Sequence, residues 1–437
     1  MALQKSNLPA RKILLFGAGK SATCLIDYLI KQAANHNWHI VIADSNLELA
    51  QLKSGDSLYA TPIQVDVKDD ERRNELVGKA DIVISMLPPW LHSLVAKNCI
   101  IVGRHLLTAS YVDEAIRKLE PEIKKKGVLF LCEMGLDPGI DHMSAMQLIH
   151  RIHAEGGKIN SFYSHCGGLV APESDNNPWH YKISWNPRNV ILAGKTGAAY
   201  KINNKTLQLP YHLLFDAGRT VQIPGYGRLA WYPNRDSLSY IPLYGLQKSS
   251  TFIRTTLRHP DFCLGWKKIV DLKLTDETIQ YDTDEMSYKT FFETHLRQNG
   301  FTERMPDTEK TLLTYLGLYE DEKINKGPST AADILQLAIE KKLMLKPEDK
   351  DMIIMMHEIG YEFKTQSHKI TSALIVKGEN SLHTAMAKTV GLPLGIAASL
   401  LLQGKISLTG LHIPIVPEIY RPVLEELRKE GVVFEER

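Results

Sequence analysis

The chain has 437 residues, of which 44% are hydrophobic and 23% are charged, as in an ordinary globular protein. This length predicts two or three domains rather than one compact core. The formal net charge of +2 excludes a globally basic nucleic-acid binder. The five cysteines are widely spaced and form no CxxC pair, so we expect neither a disulfide framework nor a cysteine zinc site.

Apolar runs along the chain fall far short of the roughly 20 residues that a membrane helix needs. Residues 1–11 carry charge but lack the apolar core of a signal peptide. We therefore predict a soluble, cytoplasmic protein that has neither a membrane nor a nucleic acid as partner.

A glycine-rich turn follows the first predicted strand. Lys12–Phe16 is a short apolar run, Gly17-Ala18-Gly19-Lys20-Ser21-Ala22 follows it, and Cys24–Ile30 has helical apolar spacing. In dinucleotide-binding folds the first glycine makes the tight turn and the second admits the pyrophosphate, which the helix N-terminus then binds. A small third residue, here Ala22, lets helix and strand pack closely. The pattern predicts a Rossmann domain; the alternative is a glycine turn in an unrelated α/β domain.

The second predicted strand, His39–Asp44, ends on an acid. A carboxylate at this position accepts hydrogen bonds from the adenosine ribose and repels a 2′-phosphate. No arginine follows within the next few residues. Asp44 therefore favours NAD(H) over NADP(H), unless it is only an exposed turn residue.

Strands and helices continue to alternate up to residue 133. The further predicted strands are Ile63–Val67, Asp81–Leu87, His105–Ser110 and Gly127–Glu133. The helices between them are Asp69–Val77, Leu91–Asn98 and Val112–Lys126. This order predicts a doubly wound parallel sheet. The loops after Leu87 and Ala109 then lie on the cofactor side, and Ser110 and Tyr111 meet nicotinamide or substrate; alternatively, Tyr111 packs on the next helix.

After Lys158 the pattern changes to alternating strands, such as Ile159–Ser164 and Thr251–Leu257, which predict a second domain with a mixed or antiparallel sheet. We expect an all-helical insertion from about Tyr288 to Glu362, with Met352–Met356 as core residues. Strand Lys369–Val376 and a helix over Thr384–Leu402, interrupted by Pro393, follow.

The segment Glu133–His142 joins the last strand of the first sheet to the helix Met143–His153. Ligands bind at such junctions in open α/β sheets. His142, His150 and His153 lack an acid or histidine that would complete a ligand set, so we predict no metal.

The sequence Leu136-Asp137-Pro138-Gly139-Ile140-Asp141-His142 resembles that of the saccharopine dehydrogenases, most closely the glutamate-forming branch. Cys166-Gly167-Gly168-Leu169, Ala171–Ser174, Tyr232–Ser237 and Ile253–Arg258 extend the resemblance in order along the chain. It implies an α/β architecture: a Rossmann doubly wound sheet, a mixed-sheet α+β substrate domain and an all-helical insertion. We place the domains at 1–137 and 138–389, with the helical subdomain at about 285–365 and 390–437 packing back on the first.

The resemblance implies that an NAD(P)-dependent enzyme of lysine metabolism interconverts saccharopine with L-glutamate and 2-aminoadipate 6-semialdehyde. It places the substrate contacts at Ser110, Tyr111, Asp137, Arg235, Thr256, Leu257 and Arg258. With the motifs above, the predicted cofactor contacts are Gly17, Ala18, Gly19, Lys20, Ser21, Ala43, Asp44, Ser45, Asp66, Val67, Leu87, Ala109, Ser110, Leu136, Asp137, Pro138 and Asn186.

Arg235 and Arg258 can each hold a substrate carboxylate bidentately, and Asp137 can pair with an amino group. Asp137 and Cys166 are candidates for the proton transfer, and a bound water is an equal one. The structural alternatives are a helix N-cap for Asp137, surface ion pairs for the arginines and an inert buried thiol for Cys166. Carboxynorspermidine or lysine dehydrogenase activity, or cofactor binding without catalysis, are the alternative functions, and a homodimer is left open.

Overall fold

The structure is a computed structural model that describes residues 10–302 and 304–437. The chain divides into two compact units. Unit 1 runs up to Arg151 and includes Ala385–Val433, and unit 2 comprises Ile152–Thr384 with Phe434–Arg437. The first division therefore falls inside the helix Ile140–Ala154, whereas the sequence placed the domain boundary after residue 137. Most of residues 1–11, for which no signal peptide was predicted, lie outside the described part.

The first part of unit 1 alternates strands and helices. In chain order these are β1 (Arg11–Phe16), α1 (Thr23–His36), β2 (Trp38–Asp44), α2 (Leu47–Ser54), β3 (Ala60–Gln64), α3 (Asp70–Gly78), β4 (Ile82–Ser85), α4 (His92–Val102), β5 (His105–Thr108), α5 (Glu114–Lys118), α6 (Glu120–Lys126), β6 (Leu129–Leu131) and α7 (Ile140–Ala154).

Two of the differences from the predicted elements involve a proline. The strand predicted at Ile63–Val67 begins and ends three residues earlier, as β3. Pro62 is tolerated there because β3 is the edge strand of its sheet. The single helix predicted over Val112–Lys126 is split in two at Leu119, because Pro121 fits the first turn of a new helix but not a helix interior.

Unit 2 begins with a long strand and then mixes strands with helices. Its elements are β7 (Lys158–Val170), α8 (Pro187–Leu192), β8 (Ala198–Ile202), β9 (Lys205–Leu209), β10 (Thr220–Ile223), β11 (Gly227–Pro233), α9 (Tyr240–Leu243), β12 (Thr251–Arg258), α10 (Pro260–Asp271), β13 (Gln280–Asp282), α11 (Tyr288–Gln298), α12 (Asp307–Tyr315), β14 (Pro328–Thr330), α13 (Ala331–Leu343), β15 (Asp351–Phe363) and β16 (Gln366–Lys377).

The chain ends with α14 (Ala385–Leu402), β17 (Gly410–His412), α15 (Pro417–Lys429) and β18 (Glu435–Glu436). Strand β17 pairs in parallel with β6, so the C-terminal segment supplies a seventh strand to the sheet of unit 1. Helix α14 continues through Pro393. By length and hydropathy alone it could cross a membrane, but 72% of it is buried inside the protein, as in the core helix of a globular domain.

The unit 1 sheet is wholly parallel, in the order β17-β6-β5-β4-β1-β2-β3. The chain builds the sheet outward from β1 to β3, then returns to β4 on the other side of β1. The strand order therefore reverses between β1 and β4, and this switch point is where doubly wound sheets bind their ligands. The predicted Rossmann fold is confirmed.

The unit 2 sheet has nine strands, with β10-β11-β12-β7-β15-β16-β18 along its main path. Strand β12 runs parallel to β7, while β11 and β15 are antiparallel to their neighbours, which confirms a mixed sheet. The prediction that Met352–Met356 is helical was wrong. These residues lie in β15 between β7 and β16, and the run is continuously apolar because all five side chains are buried.

Helix α14 approaches α1 closely through Gly391. A Cβ atom on Gly391 would lie 3.0 Å from the main-chain N and the Cβ of Leu25, and from the carbonyl oxygen of Ser21. Gly391→Ala should therefore force the helices apart and destabilise the protein by about 1–3 kcal/mol. Gly78→Ala in α3 is the control, since its Cβ would have no neighbour within 4 Å. It should be neutral or stabilise by up to about 1 kcal/mol. Thermal and urea unfolding measure both; an unchanged midpoint for Gly391→Ala would contradict the close packing.

Candidate functional site

The glycine-rich turn of unit 1 lies at the switch point of the sheet. Gly17 has a φ of +97°, and its N–H donates to the carbonyl oxygen of Ala43 at 2.8 Å. A Cβ on Gly17 would lie 3.0 Å from the carbonyl oxygen of Met86. Both the backbone conformation and the space therefore require glycine here. Gly19, in contrast, faces open space, and Lys20 and Ser21 form the 3₁₀ turn that leads into α1.

Asp44 at the end of β2 holds this turn. Its Oδ2 accepts the N–H of Ala18 at 2.7 Å, and its Oδ1 accepts the N–H of Asn46 at 2.9 Å. The Ser45 hydroxyl lies 3.4 Å from the same Oδ1. A carboxylate has about four lone-pair sites, so Asp44 can still accept from a ribose hydroxyl. Ala43 and Ser45, the other predicted contacts on this turn, flank that carboxylate in the sequence.

The predicted cofactor contacts after β3 form a separate turn. Asp66 is exposed, and its Oδ1 accepts the N–H of Lys68 at 2.9 Å. The carbonyl oxygen of Val67 accepts a hydrogen bond from the guanidinium of Arg73. These contacts order the turn at the carboxyl end of β3; their role in cofactor binding stays a prediction.

A buried histidine connects the ends of β4 and β5. His92 Nδ1 lies 2.8 Å from Ser85 Oγ, and His92 Nε2 lies 2.8 Å from Ser110 Oγ. His92 is only 3% exposed, and burial lowers its pKa to about 4. The imidazole is therefore neutral near pH 7 and can accept with one nitrogen while it donates with the other. It fixes the hydroxyl of Ser110, a residue predicted to contact both cofactor and substrate.

The Leu136–His142 segment forms a tight turn. A Cβ on Gly139 would lie 2.0 Å from the carbonyl oxygen of Gly135, so the turn closes only with glycine there. The Asp137–Pro138 peptide bond is cis. The hydroxyl of Tyr111 donates to Asp137 Oδ1 at 3.2 Å. The structure thus brings together Tyr111 and Asp137, two predicted substrate contacts from different loops.

A buried pair supports both of these loops. Glu133 Oε2 lies 2.8 Å from His142 Nε2, and Glu133 Oε1 accepts the N–H of Val112 at 3.1 Å. Glu133 itself has a left-handed backbone conformation, with a φ of +58°. Through these bonds it ties the residue after Tyr111 to the helix that follows Asp137.

In unit 2, alternate residues of β12 put Arg254, Thr256 and Arg258 on one face of the sheet. Arg258 is only 5% exposed. Its guanidinium lies over the rings of Tyr181 and Phe262, 5.3 and 5.4 Å from their centroids, and Nη1 donates to the carbonyl oxygen of Leu257 at 2.8 Å. Within residues 10–302 and 304–437 no carboxylate forms an ion pair with Arg258. A permanent buried charge of this kind is costly until an anion binds it.

Other predicted residues surround this arginine. Thr256 pairs with Cys166 of β7 on one side and with Tyr232 of β11 on the other in the sheet register. Leu257 points to the opposite face, where its side chain is fully buried in an apolar cluster. Any substrate contact of Leu257 is therefore made by its main chain.

Arg235 and Asn186 lie on loops of unit 2. Arg235 follows β11, is exposed and has a left-handed φ of +48°, a conformation that non-glycine residues adopt mainly where it is needed. Asn186 caps α8, because its Oδ1 accepts the N–H of Arg188 at 2.9 Å. The predicted ligand contacts of both residues stay predictions.

Sequence reasoning assigned no role to His92, Glu133 or Arg254. Arg254 is 1% exposed and lies 4.5 Å from the centroid of the Tyr240 ring. The sequence could have indicated Arg254, because it lies two residues before Thr256 and four before Arg258 in one strand, and alternate residues of a strand share a face of the sheet. His92 and Glu133 gave no signal, because their partners come from other elements.

The parallel sheet, its glycine turn and the acid at the end of β2 define a Rossmann-type dinucleotide-binding protein with a second, mixed-sheet unit. Residues 13–131 match the family described as "Saccharopine dehydrogenase NADP binding domain", and residues 135–432 match "Saccharopine dehydrogenase C-terminal domain". The chain belongs to the saccharopine dehydrogenase family.

Two kinds of relative differ in length. The Saccharomyces cerevisiae protein named saccharopine dehydrogenase [NADP(+), L-glutamate-forming] is 34% identical over 98% of this chain and 99% of its own length. The mitochondrial alpha-aminoadipic semialdehyde synthase of Bos taurus is 34% identical over 97% of this chain. This chain spans about half the length of such synthases, 47% in the bovine case.

Solved structures show the same fold. The apo saccharopine dehydrogenase (L-Glu forming) of Saccharomyces cerevisiae has a TM-score of 0.86 and 32% identity, with 98% of this chain and 99% of that one covered. A homospermidine synthase of Legionella pneumophila in complex with NAD has a TM-score of 0.58 and 10% identity, with 98% and 91% covered. The second likeness concerns the fold alone.

The low pKa of His92 predicts a pH dependence of stability. Because the unfolded imidazole has a pKa of about 6.5, the unfolded chain binds a proton that folded His92 rejects. The stability that this difference in pKa contributes to the folded protein is complete above about pH 6.5. It is lost as the pH falls toward about 4, the pKa of folded His92. Lowering the pH from about 7 to about 5 should therefore cost about 2 kcal/mol more in the wild type than in His92→Gln. Urea unfolding at both pH values measures this difference, and equal losses in the two proteins would refute it.

Proposed function

We propose that this chain interconverts saccharopine with L-glutamate and 2-aminoadipate 6-semialdehyde, as an NAD(P)-dependent oxidoreductase. The observation that carries the proposal is Arg258, a buried guanidinium that has no carboxylate partner among the described residues. Saccharopine has three carboxylates, and a bidentate bond to one of them would satisfy this charge. The fungal relatives matched over almost their whole length carry the name of this activity.

The residues of unit 2 bind and orient the substrate. Tyr181 and Phe262 hold the guanidinium of Arg258 from its faces, which leaves N–H groups at its edge for a carboxylate. Arg235 can bind a second carboxylate. Positioning of this kind lowers the barrier of a hydride transfer because the reacting atoms are already held together.

In unit 1 the glycine turn and Asp44 would bind the dinucleotide, and Tyr111 and Asp137 are proposed substrate contacts. The turn at Gly17 admits the pyrophosphate to the start of α1. A nicotinamide coenzyme held there would supply the hydride acceptor for the carbon beside the secondary amine of saccharopine. Asp137, held by the Tyr111 hydroxyl, can pair with the substrate amino group. The imine that forms then takes up water and separates into the amine of glutamate and the aldehyde.

Asp137 and Cys166 remain the proposed side chains for the proton that leaves the secondary amine. Asp137 is the stronger candidate, because its carboxylate lies beside the Tyr111 hydroxyl, another predicted substrate contact, and a carboxylate can act as a general base. Cys166 lies beside Thr256 in the sheet and is 6% exposed, so little water reaches its thiol.

The proposed coenzyme is NAD(H), because of Asp44. Its carboxylate is fixed by the amides of Ala18 and Asn46 and would repel a 2′-phosphate. The matched relatives and the matched domain carry names that refer to NADP. The two indications differ, so the coenzyme has to be measured.

The substrate clamp is tested with Arg258→Gln, which removes the charge. Its kcat/KM for saccharopine should fall by about a hundredfold or more, on the scale of a lost buried ion pair. The kcat/KM of Arg258→Lys should fall less, because lysine keeps the positive charge but lacks the planar guanidinium that binds a carboxylate bidentately. Arg228→Gln is the matched control because Arg228 is exposed on β11 and should behave as wild type. Saccharopine-dependent formation of reduced coenzyme is the measurement.

The same assay separates the alternatives. Wild-type turnover of carboxynorspermidine or lysine in preference to saccharopine would assign a related amine dehydrogenase activity. Coenzyme binding without turnover of any of the three would indicate a non-catalytic protein. Either result refutes the proposed function.

Coenzyme choice is tested with Asp44→Asn. The amide oxygen can still accept one backbone N–H, so the turn is kept while the negative charge is lost. We expect wild-type kcat/KM to be at least about tenfold higher with NADH than with NADPH, a difference of about 1.4 kcal/mol. The variant should lose most of that preference. Wild-type enzyme that prefers NADPH tenfold would overturn the assignment.

A further inference from the structure

A cluster of histidines and aspartates lies beside the start of α10. We define it by His180, His259, Asp261 and Asp175. His180 Nε2 is 3.5 Å from Asp261 Oδ2, and His259 Nδ1 is 3.3 Å from the same oxygen. The two imidazole rings have centroids 3.9 Å apart and are tilted by 35°. Three side chains from two distant segments thus direct their heteroatoms to one small volume.

Hydrogen bonds in this cluster leave electron pairs facing one another. His180 Nδ1 is 2.6 Å from Asp175 Oδ2, so that nitrogen donates and the lone pair of neutral His180 lies on Nε2. His259 Nδ1 accepts the N–H of Asp261 at 3.3 Å and lies at the same distance from Asp261 Oδ2, so a metal ion on this nitrogen would replace that long hydrogen bond. Two nitrogen lone pairs and a carboxylate oxygen at these distances repel unless a proton or a cation lies between them.

The separations fit one cation geometry. A tetrahedral Zn²⁺ with ligands at about 2.0–2.1 Å places its ligand atoms about 3.3–3.4 Å from one another, and the observed distances are 3.3 and 3.5 Å. Two imidazoles and one carboxylate leave a fourth position for water. Mg²⁺ and Ca²⁺ prefer oxygen ligands and fit less well. A carboxylate on the second nitrogen of a histidine, as Asp175 provides, is the usual support of a metal-binding imidazole.

We propose that His180, His259 and Asp261 form a Zn²⁺ site in which Asp175 orients His180. The ligand side chains are between 34% and 41% exposed, so the ion can enter from solvent. The site would join the loop before Tyr181 to the first turn of α10. His180 directly precedes Tyr181, and His259 directly follows Arg258. Bound zinc would therefore stiffen two walls of the Arg258 pocket, whereas the binding itself does not depend on the proposed function.

The test uses the full-length protein, stripped with EDTA and titrated with ZnCl₂ by calorimetry. Wild type should bind one ion at this site, and MgCl₂ should give no comparable signal. His180→Gln and His259→Gln should each lose the site, while Asp175→Asn should weaken it by about 10–100-fold. His212→Gln is the matched control, because His212 is an exposed histidine of the same unit outside the cluster. It should bind zinc as the wild type does.

Two results would overturn the site. One is unchanged zinc binding in His180→Gln and His259→Gln, which would leave His180 as a histidinium held by two carboxylates. The other is an equal loss of binding in His212→Gln. If the ligand variants do not fold, the visible spectrum of Co²⁺-loaded wild type decides. An intense four-coordinate spectrum without a thiolate band supports the site, and a thiolate band or a weak six-coordinate spectrum refutes it.

Discussion

The turn between Gly135 and Gly139 is the constraint on which the polar site of unit 1 depends. Gly135 N donates to the carbonyl oxygen of Pro138, and Ile140 N donates back to that of Gly135. With only 2.0 Å available for a Cβ at Gly139, no other residue allows this closure. The Glu133–His142 pair then anchors both ends of the turn. Asp137 is held at its tip by the surrounding backbone, so its carboxylate is placed before any substrate arrives.

Unit 2 buries the guanidinium of Arg258, and none of the described residues forms a carboxylate ion pair with it. A paired acid would stabilise Arg258, but it would also compete with a substrate carboxylate for the same N–H groups. The rings of Tyr181 and Phe262 stabilise the charge from the faces of the guanidinium instead. The edge stays available, and the cost of burial is recovered only when an anion binds. The buried charge of Arg258 therefore lowers the stability of the free protein, and a bound anion would stabilise it.

Much of the fold was predictable from local pattern. The glycine turn, the acid after β2 and the alternation of strands and helices specify a doubly wound sheet, since each signal lies within a few residues. The sequence did not predict strand β15, because the continuous apolar run of a strand buried on both faces cannot be distinguished from that of a buried helix. The seventh strand, β17, was not predicted, because three residues carry almost no periodicity; the family resemblance implied only that the C-terminal segment packs on the first domain.

The site was predictable where chemistry lies in a motif, and not where it depends on contacts between distant segments. Tyr111 and Asp137 were each named, but their hydrogen bond joins two loops. His92 hydrogen-bonds the predicted site residue Ser110, and the pair Glu133–His142 supports the loops that carry Tyr111 and Asp137. A sequence does not show that these side chains meet. His180 and His259 are separated by most of the unit 2 sheet in the sequence, and only the fold brings their rings to 3.9 Å.

Asp44 shows that one motif residue can have both a structural role and a proposed role in coenzyme binding. Its carboxylate closes the glycine turn on Ala18, so an acid has a structural reason to be present whichever coenzyme binds. The hydrogen bonds around Asp44 show more directly which charges a bound coenzyme would meet. The Asp44–Asn46 turn is held by the amides of Ala18 and Asn46 and by the side-chain amide of Gln64, and no cation pairs with it in the described part of the chain. A 2′-phosphate would meet the fixed negative charge of Asp44 there, and this repulsion is the physical basis of the proposed preference for the unphosphorylated coenzyme.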